Sequence, residues 1–222
     1  MRRVALVVAL IAAAMGFAFR PALAGSPTMW LALVVPYAAL TGLAIHRMWD
    51  TGTLADWLKP RWGDLSIGVI VAALLLLSSW AARSLLAPPG TDRHAWLLRV
   101  YLQFGSAEAI QRSLLLTLAI VALPIFEEIV WRQLVLGEVL QRFGTRRAWP
   151  LAALLYAAAH LPTILTLRDP VAGPNPLLFV AALGCGIVWS FMAAMLGRLP
   201  PVIISHVAFT YFTATQFRLP GM

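Results

Sequence analysis

A chain of 222 residues that is 61% hydrophobic and 12% charged, with a mean hydropathy of +0.82, carries more apolar side chain than one soluble core can bury. It reads as a polytopic membrane protein. The net charge of +8 comes from sixteen arginines and one lysine, most of them between or at the ends of apolar runs, and no basic stretch is interleaved with exposed aromatics, which argues against a nucleic-acid partner.

Seven apolar runs follow one another at about 4–19, 29–45, 66–82, 113–136, 149–165, 177–196 and 200–217. Most approach the roughly 17–25 residues that cross a bilayer core. They predict an all-α membrane bundle of about seven (6–8) spans. At the N-terminus, Arg2, Arg3, an apolar stretch and Ala22-Leu23-Ala24 before Gly25 imitate a cleavable secretory signal. Arg20 at the end of that stretch, and the many spans that follow, favour an uncleaved first span instead.

Between the second and third runs, Trp49, Trp57, Trp62, Lys59, Pro60 and Arg61 have the aromatic and basic mixture of a headgroup-level loop. Between the third and fourth, Pro88-Pro89-Gly90 opens a segment in which Trp96, Leu97, Val100, Tyr101 and Phe104 recur at helical spacing, with Arg93, Arg99 and Gln103 elsewhere. That spacing predicts an amphipathic helix in the membrane interface, either a gate or a plain connector. No internal repeat or boundary divides the chain, so residues 1–222 read as a single integral membrane domain. With the N-terminus inside, nine basic residues face the cytoplasm and seven lie outside, a weak positive-inside bias. The abundance of Ala and Arg suggests a bacterial inner (cytoplasmic) membrane protein. Cys185, flanked by Gly184 and Gly186, has no cysteine partner and reads as a small residue at a helix contact.

Ionisable side chains at bilayer depth cost roughly 2.5–3.5 kcal/mol each, so by default they face the bundle interior and mark a site. Here they are few: Glu127, Glu128 and Arg132 in the fourth run, His160 in the fifth and His206 in the last. Glu128 and Arg132 are four apart and can pair along one helix face. Glu127 points about 100° away from that pair. It needs partners from other spans, and His160 and His206 are available. Pro124 loosens the helix just before the glutamates, Pro162 ends or bends the helix just after His160, and Pro200-Pro201 opens the last span.

Three motifs now stand in order: EEIVWR at 127–132 (E-E-x-x-x-R), YAAAH at 156–160 (aromatic-x-x-x-His) and HVAFT at 206–210 (His-x-x-x-Asn/Asp/Ser). Together, over about residues 105–217, they resemble the CAAX-protease and bacteriocin-processing family, glutamic-type intramembrane endopeptidases related to the Ras-converting CAAX endopeptidase. The resemblance implies peptide-bond hydrolysis within the membrane. Carried over, Glu127 would be the general base, His160 would share its water, and His206 with Thr210 would stabilise the oxyanion. Glu128 and Arg132 would be supporting residues. Trp131 shares a helix face with Glu127 and would line the cleft. Two positions depart from the family pattern: Tyr156 stands where Phe is usual and Thr210 where Asn is commonest.

No cofactor is expected on this reading. The alternative is zinc held by Glu127, His160 and His206, although no H-E-x-x-H is present. The expected partners are the lipid bilayer and a membrane-anchored protein or peptide, such as a sorting tail, a pheromone or a bacteriocin. A proton-coupled transporter and a catalytically inactive scaffold are the rival functions, since buried Glu and His also make proton relays.

Overall fold

Backbone amides in lipid must be satisfied within their own segment, and long runs of Leu, Ala, Val and Ile meet that demand as helices. The computed structural model describes residues 1–218, and among them no strand forms. Twelve α-helices follow in order: α1 (Arg2–Ala18), α2 (Pro27–Asp50), α3 (Leu54–Leu58), α4 (Asp64–Leu86), α5 (His94–Phe104), α6 (Ala107–Arg112), α7 (Leu114–Ile129), α8 (Gly137–Phe143), α9 (Thr145–Ala159), α10 (Leu161–Thr166), α11 (Leu177–Leu196) and α12 (Pro200–Thr215). A π-helical segment, Val130–Leu136, joins α7 to α8 without interruption. Serine caps begin three of the helices: the hydroxyls of Ser26, Ser106 and Ser113 accept from the amides of Met29, Ala109 and Leu116.

Five helical stretches are long and apolar enough to cross a membrane: Pro27–Asp50, Asp64–Leu86, Leu114–Phe143, Thr145–Thr166 and Leu177–Leu196. Two further runs, α1 with 17 residues and α12 with 16, are shorter. The all-helical class therefore stands, and five candidate spans fit an integral membrane protein.

Contacts at the helix ends fix how the bundle is strung. The N-terminal ammonium of Met1 and the Arg47 guanidinium both meet Glu138, gathering the start of α1, the end of α2 and α8. On α4 and α12, Asp64 pairs with Arg198 just before α12 begins. Arg83, near the end of α4, reaches the carbonyl of Phe217 just after α12. The two helices therefore run parallel, side by side. They touch closely at Gly68, where a Cβ would come within 2.6 Å of Ile204 Cγ2. The rest of α4 leaves Leu65, Val69, Leu74 and Leu77 exposed, an apolar flank suited to acyl chains.

The amphipathic helix expected between the third and fourth runs forms as α5, with one correction. Leu97, Val100 and Tyr101 of α5 are buried as their spacing requires, but Gln103 is buried with them. Its amide donates to the carbonyls of Ala18 (2.8 Å) and Arg20 (3.3 Å). The end of α1 leaves carbonyls without helical partners, and Gln103 supplies a donor to them. Polarity alone does not decide which side of a short helix faces protein.

Candidate active site

The fourth apolar run arrives as α7, and Pro124 near its end lacks the amide that would bond the preceding turn. Beyond the two glutamates the helix widens into the π segment, a local expansion common at functional sites. Thr41 of α2 donates to the Phe126 carbonyl at 3.3 Å. This stretch of backbone is thus braced from outside where its own ladder is irregular.

Glu128 and Arg132 form the pair that their spacing requires, and both are wholly buried. Arg132 Nε and Nη2 donate to the two carboxylate oxygens at 2.7 and 3.2 Å, a side-on fork. Arg132 Nη1 donates to Ser190 Oγ of α11 at 2.8 Å. His206 Nδ1 lies 2.8 Å from Glu128 Oε1, the oxygen that also accepts from Arg132 Nη2. Since a carboxylate accepts, Nδ1 carries the proton.

Glu127 faces elsewhere. Tyr156 of α9 donates its hydroxyl to Glu127 Oε2 at 2.9 Å. His206 Nε2 lies 3.8 Å from the same oxygen, too far for a direct hydrogen bond. His206 therefore bridges the two glutamates, bonded to one and turned toward the other. The Trp189 indole stacks on its imidazole, with centroids 3.7 Å apart and planes 25° apart, and is itself held by Ser205 at 3.1 Å.

His160 stands in the joint between α9 and α10, where the helix stops before Pro162. Its Nδ1 lies 2.9 Å from the Tyr156 carbonyl, which can only accept, so Nδ1–H donates and Nε2 keeps its lone pair. The Tyr156 ring touches it edge-on at 4.8 Å. Glu127, Tyr156, His160, His206 and Thr210 all line one cavity of about 140 Å³. Cys185 is buried in the core, as the sequence suggests, and also lines this cavity. The glutamate and both histidines are 5–7% exposed, enough to reach the cavity and nothing else.

Trp131 belongs elsewhere than the sequence suggests. It is fully buried and donates its indole N–H to the Tyr37 hydroxyl at 3.0 Å. It buttresses the Tyr156 ring edge-on at 5.1 Å but does not line the cavity. The π segment explains the shift, because the ordinary four-residue face does not carry through a widened turn. Trp189, Ser190 and Ser205 were not visible as site residues in the sequence. Ser190 alone left a signal: a buried guanidinium has five N–H groups, more than one carboxylate can accept.

These residues fall in the part of the chain that resembles a known family. Residues 109–212 match the family model described as Type II CAAX prenyl endopeptidase Rce1-like. The segment is similar to the Rce1-like family. It covers slightly less than half of the chain and contains all three motifs. No curated protein and no solved structure shows significant similarity. The helices that precede the Rce1-like segment still complete its cavity, through Met15 and Phe19 near the end of α1, Trp30 and Leu33 on α2, and Phe104 on α5.

The residues proposed for zinc do not assemble a ligand set here. Among the described residues, no group of three His, Cys, Asp or Glu side chains converges as a metal requires. Both histidines bond through Nδ1, to Glu128 and to a carbonyl, and each keeps Nε2 free; what does not fit a metal is the spacing of the three side chains. No step is therefore derived through a metal.

Proposed function

We propose that this protein is an intramembrane endopeptidase that hydrolyses a peptide bond in a membrane-anchored protein or peptide, with Glu127 activating the attacking water. The observation that carries the reading is the buried Glu127, held by Tyr156, facing the same small cavity as the free nitrogens of two histidines whose other nitrogens are fixed. Such groups are costly in a membrane unless they hold water or substrate. The Rce1-like match points the same way.

The chemistry follows from the fixed protons. A water between the Glu127 carboxylate and the His160 Nε2 lone pair is polarised from both sides. Glu127 takes one of its protons as the oxygen attacks the carbonyl carbon. The developing oxyanion is met by an Nε2–H of His206 and the Thr210 hydroxyl. The proton on Glu127 then passes to the amide nitrogen, the C–N bond breaks, and a carboxylate and an amine leave. Donating from both nitrogens requires His206 to carry both protons, and its Nδ1–H is held by Glu128. Two glutamates then balance Arg132 and His206, so the buried cluster carries no net charge.

The experiment compares host membranes containing the wild-type protein or Glu127→Gln, matched for insertion, by mass spectrometry of membrane-protein termini. New termini that depend on Glu127 are expected; identical termini would leave a scaffold. A chelator arm is expected to change nothing, and loss of cleavage there would restore the zinc reading. Proton flux into vesicles that depends on Glu127, without cleavage, would favour a transporter.

A further inference from the structure

A groove of about 570 Å³ shares no lining residue with the active-site cavity. Its walls come from α1 and α2, helices that precede the Rce1-like segment. Leu6 and Leu10 form one wall and Leu40 and Leu43 the other, over a floor of buried Val7 and Leu134. Leu6, Leu10 and Leu43 are 70%, 47% and 56% exposed, so this apolar strip is open to the surroundings of the bundle.

Polar side chains close one end only. Arg3 stands about one turn before Leu6, and His46, Arg47 and Asp50 stand about one to two turns after Leu43. On both helices the leucines therefore lead away from the same charged mouth. Leu10 lies roughly 10 Å along α1 from Arg3, at about 1.5 Å of rise per residue. Exposed Trp49 beside the mouth marks that end as the headgroup level.

The mouth carries both signs with little of its capacity used. Arg3 has no carboxylate partner among the described residues. Arg47 Nη1 lies 3.8 Å from Glu138, beyond hydrogen-bond distance. Glu138 also accepts from the Met1 ammonium at 3.3 Å, which leaves Asp50 as the more available carboxylate. Asp50 is half-exposed and is approached by His46 Nδ1 at 3.4 Å. A groove for a bare acyl chain needs no such charges, and one for an anionic headgroup gains nothing from a carboxylate at its mouth. A zwitterionic headgroup uses both signs.

We infer that this groove binds a phospholipid with a primary-amine headgroup, of the phosphatidylethanolamine class. Arg3 and Arg47 take the phosphodiester oxygens. Asp50 accepts from the ammonium, and one acyl chain lies between the two leucine walls. A choline headgroup has no N–H to donate to Asp50, and a glycerol headgroup brings it no cation. The site stands whether or not the protein cleaves peptides.

The test is native mass spectrometry of the full chain in detergent, given an equimolar mixture of palmitoyl-oleoyl phosphatidylethanolamine, phosphatidylcholine and phosphatidylglycerol. One retained phosphatidylethanolamine is expected, favoured about fivefold over either competitor, as suits ion pairs at a partly exposed mouth. Asp50→Asn is expected to level the amine and choline lipids, and Arg3→Gln combined with Arg47→Gln to release both. Leu43→Trp, which fills the groove without altering its charges, is expected to release the lipid too. Retention of no lipid, of phosphatidylglycerol first, or of the amine and choline lipids alike by the wild-type protein overturns the proposal. A preference that survives both Asp50→Asn and Leu43→Trp places the lipid elsewhere and also overturns it. So does a dimer that Leu43→Trp splits, since a second copy then covers the groove.

Discussion

At the scale of single residues, each side chain of the cluster has a separable task. Glu127→Gln keeps the shape and the Tyr156 contact but removes the base, so cleavage is expected to fall by about a thousandfold with the protein still folded, as product formation in nanodiscs would measure. Tyr156→Phe removes one hydrogen bond to a charged oxygen and restores the usual family residue. It should cost about ten- to a hundredfold in kcat with little change in KM, since such a bond contributes roughly 1.5–3 kcal/mol. Glu128→Gln is a different case. It leaves the fully buried Arg132 without its counter-charge, and destabilisation of about 3–5 kcal/mol should appear in denaturant unfolding. The candidate residues were legible in the sequence because charges are scarce in apolar runs. What the spacing could not give was the bridge that His206 makes between the two glutamates, nor the Trp189 stack behind it. Both are contacts between spans, and helical periodicity speaks only within one.

At the scale of elements, close helix approaches carry the geometry to the site. Gly186 of α11 faces Tyr156, where an added Cβ would meet Cδ1 at 2.9 Å. Gly186→Ala should push the ring away from Glu127 and His160, lowering kcat several-fold while the protein inserts normally; kinetics beside a circular dichroism spectrum would check it. The turn between α10 and α11 offers a pH-dependent effect outside the membrane. Amides of Val171 and Ala172, with Arg99 beside them, hold the Asp169 carboxyl below its usual range. A depressed folded value means that its contribution is present above the unfolded value of about 4 and is lost as pH falls through the lower folded value. Hydrogen exchange in 169–175, corrected for intrinsic rate, should therefore quicken on acidification below about pH 4. Asp169→Asn should remove that acid step. Element boundaries were legible where proline or a serine cap sets them, as at His160–Pro162 and at the start of α2. The π segment was not, because nothing in VWRQLVL breaks a helical pattern. It is a response to packing, and it moved Trp131 off the cavity wall.

At the scale of the whole molecule, the bundle resolves a conflict between apolar bulk and polar chemistry. The Rce1-like segment supplies the acids and histidines, and the helices before it complete the wall around them. The motifs mark side chains that share one cavity, while the sequence before residue 105 gave no hint that its helices line it too. Apolar residues such as Trp30 and Leu33 look alike whether they face lipid, core or substrate. Of the seven apolar runs, five became helical stretches long enough to cross a membrane, while α1 and α12 have 17 and 16 residues.

The central claim is that Glu127 drives water onto a peptide bond inside this bundle, and one measurement reaches it directly. Purified protein in nanodiscs is given an apolar peptide library in water enriched in oxygen-18, and the products are weighed against those from Glu127→Gln. New C-termini carrying one heavy oxygen, formed by the wild-type protein and absent from the variant, are the predicted result. Products that form equally without Glu127, or a library left intact by the folded wild-type protein, would contradict it.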